Sequence, residues 1–151
     1  MKIIKYALIV LFSVGVMSCG SSSGGGDDAD EQKPTITLNK PADITTGNNI
    51  LVSFSAKDNV ELKSYRVEIA ISGTKSTKSV GEFLFDSLSN TQDADGNVLP
   101  SISGTSADIS FSVATTLPNN KVAVQGTYKV KVTVVDASDN TEVKDVEFLI
   151  N

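Results

Sequence analysis

Hydrophobic and polar residues alternate with a period of two along most of the chain after residue 34. The pattern is clearest in the runs NILVSFSAKD, SYRVEIAIS, TYKVKVTVVD and KDVEFLIN. Shorter runs of the same kind are PTITLN, GEFLFDS and ADISFSVAT, which brings the total to seven, with Gly, Asn, Asp, Ser and Pro clusters between them. Because successive side chains of a strand point to opposite faces, each run predicts a half-buried β-strand.

One face of each strand is expected to carry the core, and no stretch after residue 34 keeps a helical period. The predicted inward positions of the four clearest strands are Ile50, Val52, Phe54, Ala56; Tyr65, Val67, Ile69, Ile71; Tyr128, Val130, Val132, Val134; and Val146, Phe148, Ile150. We also expect Phe83 and Phe85 to pack in the core, and Tyr128 either to point inward or to form a corner hydrogen bond. The pattern predicts an all-β fold, an antiparallel two-sheet immunoglobulin-like sandwich of about seven strands.

The first 19 residues, MKIIKYALIVLFSVGVMSC, follow a different pattern. Lys2 and Lys5 precede an apolar run at residues 6–16, which is shorter than the roughly 20 residues that a resident membrane helix needs. This build predicts a secretory signal peptide. Its end resembles the lipobox of bacterial lipoproteins, in which a small residue such as Ser18 precedes the cysteine. The resemblance implies lipidation of the Cys19 thiol; the alternative is a secreted protein with one free thiol.

Residues 20–33 are rich in Ser, Gly and Asp, a composition that predicts a disordered, flexible tether with a reach of about 20 Å. This stretch resembles the export signals of Bacteroidetes surface lipoproteins. The resemblance implies an outer-membrane lipoprotein of a Gram-negative bacterium, displayed at the cell surface, although a periplasmic orientation stays open. The predicted organisation is a signal peptide at residues 1–18, the lipidated cysteine and tether at 19–33, and the Ig-like domain at 34–151.

Composition excludes several classes of function. The chain has 13 Lys and Arg against 18 Asp and Glu, without a basic cluster, which argues against nucleic-acid binding. It has no His, so histidine-activated nucleophiles are absent, and its single Cys is assigned to lipid. It has no Trp for a sugar-stacking platform. A hydrolase with paired carboxylates stays open in number with 18 acidic residues, but these fall mostly in turns or on the polar side of strands, where a solvated charge is expected. We therefore predict a protein that is not an enzyme.

Three segments of the domain resemble single-domain Ig-like lipoproteins of Bacteroidetes: KPTITLNKPAD, LVSFSAKDNVELKSYRVEIA and GTYKVKVTVVDASDNTEVKDVEFLIN. The last segment also resembles cadherin-like modules, which share its Asp-x-x-Asp-Asn turn. The resemblance implies an Ig-like fold and says little about function. Some of these relatives carry histidines after the strand that corresponds to residues 65–71, and a metal site of that kind cannot be transferred to a chain without His.

Topology suggests a calcium site. In an Ig-like sandwich the connections KDNVEL and DASDNTE lie at the same end, so Asp58, Asp136 and Asp139 are expected to converge. Asn59 or Asn140 would then add carbonyl oxygens, and calcium takes six to eight oxygen ligands. The alternative is that these residues only shape turns.

The longest region without a strand pattern is SLSNTQDADGNVLPSISGTSAD. Long loops in compact domains often carry function, so Asp93, Asp95 and Asn97 are candidate partner-binding residues, and a solvated turn is the alternative. If the loop carries a partner site, we expect deletion of residues 91–104 to leave the fold intact and to abolish partner binding.

Two functions follow from these expectations. The first is a membrane-anchored binding or adhesion module with a protein or glycan partner. The second is a ligand-capture lipoprotein that binds a glycan or small solute for nutrient uptake, which requires a concave pocket. The oligomeric state stays open.

Overall fold

A computed structural model describes residues 30–72, 81–117 and 121–151 of the chain. The predicted signal peptide and Cys19 lie outside these ranges. The described strands are β1 (Thr35–Leu38), β2 (Ile50–Lys57), β3 (Leu62–Ile71), β4 (Phe85–Asp86), β5 (Ser106–Val113), β6 (Thr116–Leu117), β7 (Lys121–Val122), β8 (Gly126–Asp136) and β9 (Thr141–Ile150). Within the described residues, no helix has the length and apolar character that crossing a membrane requires.

Seven of the strands form two antiparallel sheets, and the other two form a small ribbon. The first sheet has the order β1-β2-β5, the second has the order β4-β3-β8-β9, and the ribbon pairs β6 with β7. Each of the seven alternating runs of the sequence supplies one strand of the two sheets. The predicted all-β fold, an antiparallel two-sheet sandwich, is confirmed.

The core lies between the two sheets and is made by the inward-facing positions of the alternating runs. In β8, Val130, Val132 and Val134 are fully buried, and Val132 lies directly opposite Val67 of β3. The two sheets contact each other through aromatic rings: Phe54 of β2 meets Tyr65 of β3 edge to face, with ring centroids 5.4 Å apart. Such a ring pair adds to the stability that buried area alone provides.

The remaining aromatic predictions concern residues around the core. Phe83 and Phe85 are both buried, as expected from their alternation in the sequence. Tyr128 is buried as well, and its hydroxyl donates to the main-chain oxygen of Val124, so it fulfils both expectations at once. The hydroxyl of Tyr65 donates to the main-chain oxygen of Pro100 at 2.7 Å and ties the long loop to β3.

The two ends of the sandwich differ in which connections they carry. At one end, here called the proximal end, β2 and β8 finish and are followed by residues 58–61 and 137–140. The other end, here called the distal end, carries residues 39–49, the ribbon and the last residue of the chain. There Ile44 forms a parallel bridge with Ile150, and Asn151 accepts a hydrogen bond from the main-chain nitrogen of Thr46 at 2.9 Å.

Candidate metal centre

The alternation of side chains along β8 places the carboxylate of Asp136 at an inward-facing position at the proximal end of the core. Asp136 is the last residue of β8 and follows the inward positions of Val130, Val132 and Val134 at the same spacing. Its side chain is therefore buried, and the residue is only 1 % exposed. One carboxylate oxygen accepts from the main-chain nitrogens of Ser138 and Asn140, both at 2.8 Å. The other accepts from the Asn140 side chain at 2.9 Å.

Asp58 reaches the same place from the connection after β2. Its main-chain nitrogen donates to Thr105 at 3.0 Å, which fixes the start of the connection. Its Oδ2 accepts from the main-chain nitrogens of Val60 and Glu61 at 2.8 and 2.9 Å, as Asp does in turns. Its Oδ1 is buried and has no hydrogen-bond donor among the described residues.

The third carboxylate belongs to Asp30, which precedes β1. Its Oδ1 accepts from the Asn59 side chain and from the main-chain nitrogen of Gln32, both at 3.0 Å. Its main-chain oxygen accepts from the Asn140 side chain at 2.8 Å. Its Oδ2, like Asp58 Oδ1, is buried without a donor among the described residues. Asp30 was not predicted as a site residue, because it lies in the stretch whose composition predicts a tether.

The three carboxylates form one cluster at the proximal end. One oxygen each from Asp30, Asp58 and Asp136 can be chosen so that all three lie within 4.8 Å of one another. Two oxygens bound to one calcium ion at 2.3–2.6 Å are at most about 5 Å apart, so this spacing suits a shared ion. All the side chains of the cluster are oxygen donors, which hard cations prefer and zinc does not.

No ion pair among the described residues involves Asp30, Asp58 or Asp136. Ionised carboxylates at this separation repel one another. Two of their oxygens are also buried without a donor, which costs free energy unless a ligand occupies them. The described residues thus assemble negative charge at this point and supply no cation to balance it.

The structure corrects the set of residues expected to converge. Asp139 takes no part, because it is the turn residue of the β8–β9 connection and has a left-handed backbone with φ of 67°. Its side chain is 75 % exposed and pairs with Lys63 at 2.5 Å. Asn59 and Asn140 donate N–H groups to Asp30 and Asp136, so in this arrangement they hold the carboxylates in place.

The predicted partner-binding residues lie apart from this cluster, in a tight turn of the long loop. Asp93 Oδ1 accepts from the main-chain nitrogens of Asp95 and Asn97 at 2.9 and 2.8 Å. The Asn97 side chain donates to the other oxygen, and this hydrogen bond holds the pKa of Asp93 below its ordinary value. Gly96 has φ of 85°, a conformation that glycine adopts without strain. The turn uses its own polar groups to set its shape.

The contacts of residues 91–104 argue against the expectation that this segment can be deleted without loss of the fold. Ile102 belongs to the buried core, and Leu99 packs against it. Pro100 provides the acceptor for the Tyr65 hydroxyl. Residues 95–98 of the loop are exposed, whereas the part from Leu99 to Ile102 contacts the core and β3.

A depression of about 280 Å³ lies on the outer face of the second sheet, lined in part by Glu68, Lys129 and Lys131. Its charged groups are already paired. Lys131 contacts Glu68 at 2.5 Å, and Lys129 contacts Asp145 at 3.3 Å. A solute-capture site needs convergent polar groups that are free to bind the solute. The charged groups of this lining are instead paired with each other or with a neighbouring residue.

Comparison with known proteins places the chain in a family and finds distant structural likenesses. A model described as a domain of unknown function, DUF4625, matches residues 18–151. No curated protein matches the sequence. Catalytically inactive OgpA from Akkermansia muciniphila, solved with an O-glycopeptide, is 16 % identical with a TM-score of 0.49, over 80 % of this chain and 30 % of that one. Spo0M, a sporulation control protein from Bacillus subtilis, is 11 % identical with a TM-score of 0.41, over 79 % of this chain and 49 % of that one.

Proposed function

Because the chain belongs to the DUF4625 family of domains of unknown function, we propose its function from its own side chains. It is a calcium-binding interaction module, held at the outer membrane by lipid on Cys19, that presents its surface to a protein or glycan partner. It has no enzymatic activity of its own. The single observation that carries the proposal is the cluster of Asp30, Asp58 and Asp136 with its two buried carboxylate oxygens that lack donors.

Calcium is the ion that this donor set suits best. Magnesium keeps several waters and uses one or two carboxylates, whereas calcium accepts three carboxylates together with main-chain oxygens and water. The ion would bind Asp30, Asp58 and Asp136 and neutralise the repulsion among them. Asn59 and Asn140 would keep the carboxylates oriented through the hydrogen bonds that they already donate.

A role in interaction is favoured over solute capture by the pairing of surface charges. The charged residues that line the depression on the second sheet are already held in ion pairs, which leaves them poorly suited to bind a small charged solute. Lipid on Cys19 is supported by the lipobox resemblance. An anchor at the amino-terminal end would leave the distal end of the sandwich facing away from the membrane.

Thermal unfolding and calorimetry test the calcium site. We expect the chain to melt at a higher temperature in CaCl₂ than in EGTA, by several degrees once calcium exceeds its Kd 100-fold, which corresponds to about 2.7 kcal/mol. Asp30→Asn should weaken this shift. Asp139→Asn is the matched control, because it removes a carboxylate of the same end that lies outside the cluster, and it should keep the shift. Overlapping wild-type melts in CaCl₂ and EGTA would refute the calcium site.

Cell fractionation tests the anchor separately. The wild-type protein should partition with membranes and carry lipid, and a Cys19→Ser variant should be soluble or remain unprocessed. A processed Cys19→Ser protein that still sediments with membranes would contradict lipid attachment at this residue.

A further inference from the structure

We infer that calcium binding fixes the segment of residues 30–33 to the sandwich and so determines where the tether leaves the domain. The inference rests on the calcium site proposed above and deepens it. It assigns the ion a role in holding the domain relative to its anchor, beyond adding stability to a loop.

Two of the three carboxylates are positioned by the sandwich itself. The connection that carries Asp58 is fixed at both ends. At its start, the main-chain nitrogen of Asp58 donates to Thr105, and just after its end, the main-chain nitrogen of Leu62 donates to Gly104 at 2.8 Å. Asp136 ends β8, and its main-chain nitrogen donates to Asn140 at 3.1 Å within the β8–β9 turn. The hydrogen bonds that hold these two carboxylates come from residues that follow β1 in the chain.

Asp30 is held in a different way, because it belongs to no strand. Three exposed residues, 31–33, separate it from Pro34, the next buried residue of the chain. The hydrogen bonds that join residues 30–33 to the rest of the described structure come from two side chains. Asn59 donates to Asp30 Oδ1, and Asn140 donates to the main-chain oxygens of Asp30 and Gln32 at 2.8 and 3.4 Å.

The sign of the electrostatic interaction decides whether Asp30 stays there. Without a cation, the carboxylate of Asp30 approaches two others within 4.8 Å, and this repulsion opposes the asparagine hydrogen bonds. With calcium bound, the same three charges share one divalent ion, and docking of Asp30 becomes favourable. Ion binding and docking of residues 30–33 are therefore coupled, and the coupling is reciprocal: removal of Asp30 must weaken calcium binding.

The coupling has a geometric consequence for an anchored protein. A docked Asp30 makes the preceding chain depart from the proximal end, beside the connections after β2 and β8. The distal end, with residues 39–49 and the β6–β7 ribbon, then points away from that departure point. Calcium in the surrounding medium would thus restrict the range of directions that the distal end can face.

Spin labelling measures the docking directly. The probe is a nitroxide on Gln32→Cys in the chain from residue 19 onward with Cys19→Ser, which retains every described residue. The matched control is a nitroxide on Thr37→Cys, an exposed position of β1 that is paired with Ser55 of β2. Spectra are recorded in EGTA, MgCl₂ and CaCl₂, and calcium binding to the same samples is measured by calorimetry.

We expect calcium to reduce the mobility of the label at residue 32 and to leave the label at residue 37 unchanged. Asp30→Asn should abolish the change at residue 32 and raise the calcium Kd by roughly 10–100-fold, the range seen even when outer-shell partners of a metal are lost. Calcium binding without a change at residue 32, or a change that survives Asp30→Asn, overturns the inference and leaves the calcium site standing. Absence of calcium binding overturns both.

Discussion

The hydroxyl of Tyr128 donates a hydrogen bond of 2.9 Å to the main-chain oxygen of Val124, four residues earlier in the chain. The ring is fully buried and packs against Phe148 of β9 and Phe83, with centroid separations of 6.1 and 6.3 Å. Burial also raises the pKa of the Tyr128 hydroxyl. This contact fixes the chain just before β8, one of the two inner strands of the second sheet.

Tyr128→Phe tests what this hydrogen bond contributes. The substitution keeps the ring and its packing but leaves the main-chain oxygen of Val124 without its donor. We expect the free energy of unfolding to fall by about 1–2 kcal/mol, with a lower midpoint in urea. An unchanged midpoint would mean that water replaces the hydroxyl at no cost.

A pair of substitutions in β8 tests the register of the sheet. Val132 is fully buried opposite Val67, whereas Thr133 is its neighbour on the outer face, opposite Arg66. Val132→Asp places an unpaired charge in the core and should abolish cooperative unfolding, while Thr133→Asp should fold with nearly wild-type stability. Circular dichroism melts distinguish the two. The opposite result would place β8 one residue out of register.

The carboxylate cluster predicts that the effect of one substitution changes sign with calcium. In EGTA, Asp30→Asn relieves repulsion and should melt at a higher temperature than the wild type. In CaCl₂ it lacks a ligand and should melt at a lower one. Each difference is expected to be on the order of 1 kcal/mol, or a few degrees. If Asp30→Asn destabilises the domain equally in both media, Asp30 acts only as a turn residue.

A pH dependence follows from the pair formed by Arg66 and Asp86. The Arg66 guanidinium donates to both oxygens of Asp86 at 3.1 and 2.6 Å, and with the Leu88 main-chain nitrogen it lowers the pKa of Asp86 from 3.8. A carboxyl group whose pKa is lowered on folding stabilises the fold above its unfolded pKa, and this stabilisation is lost as the pH falls through the folded value.

Asp86→Asn should therefore be less stable than the wild type at pH 7, and the gap should narrow as the pH falls below about 4. Urea unfolding at pH 7, 5, 4 and 3 measures the gap. The size is modest, since the pair is partly exposed to solvent. A gap that is constant down to pH 3 would show that the charge of Asp86 does not contribute to stability.

The strands of the two sheets were predictable because their alternation is local and their burial follows from it. Even the buried position of Asp136 continues the spacing of Val132 and Val134 in the sequence. The β6–β7 ribbon could not be predicted in this way, because strands of two residues are too short to show a period.

The carboxylate cluster was only partly predictable for a related reason. That Asp58 and Asp136 lie at one end of the sandwich follows from strand order. Asp139 has the same local chemistry as Asp136, and only the left-handed backbone of the turn directs it to solvent. Asp30 precedes Asp136 by 106 residues and lies in a stretch whose composition predicts no fixed structure. No periodic pattern in the sequence indicates a contact between two such distant residues.

The position of β1 also determines how the domain bears mechanical load. β1 begins at the proximal end, where Thr35 pairs with Lys57, and runs toward Leu38 opposite Phe54. A pull on the chain at Asp30, directed away from the sandwich, acts along the axis of β1. Because antiparallel hydrogen bonds lie across the strands, such a force shears the whole β1–β2 ladder at once. The ladder then resists the force as a unit, so its hydrogen bonds must break together rather than one after another.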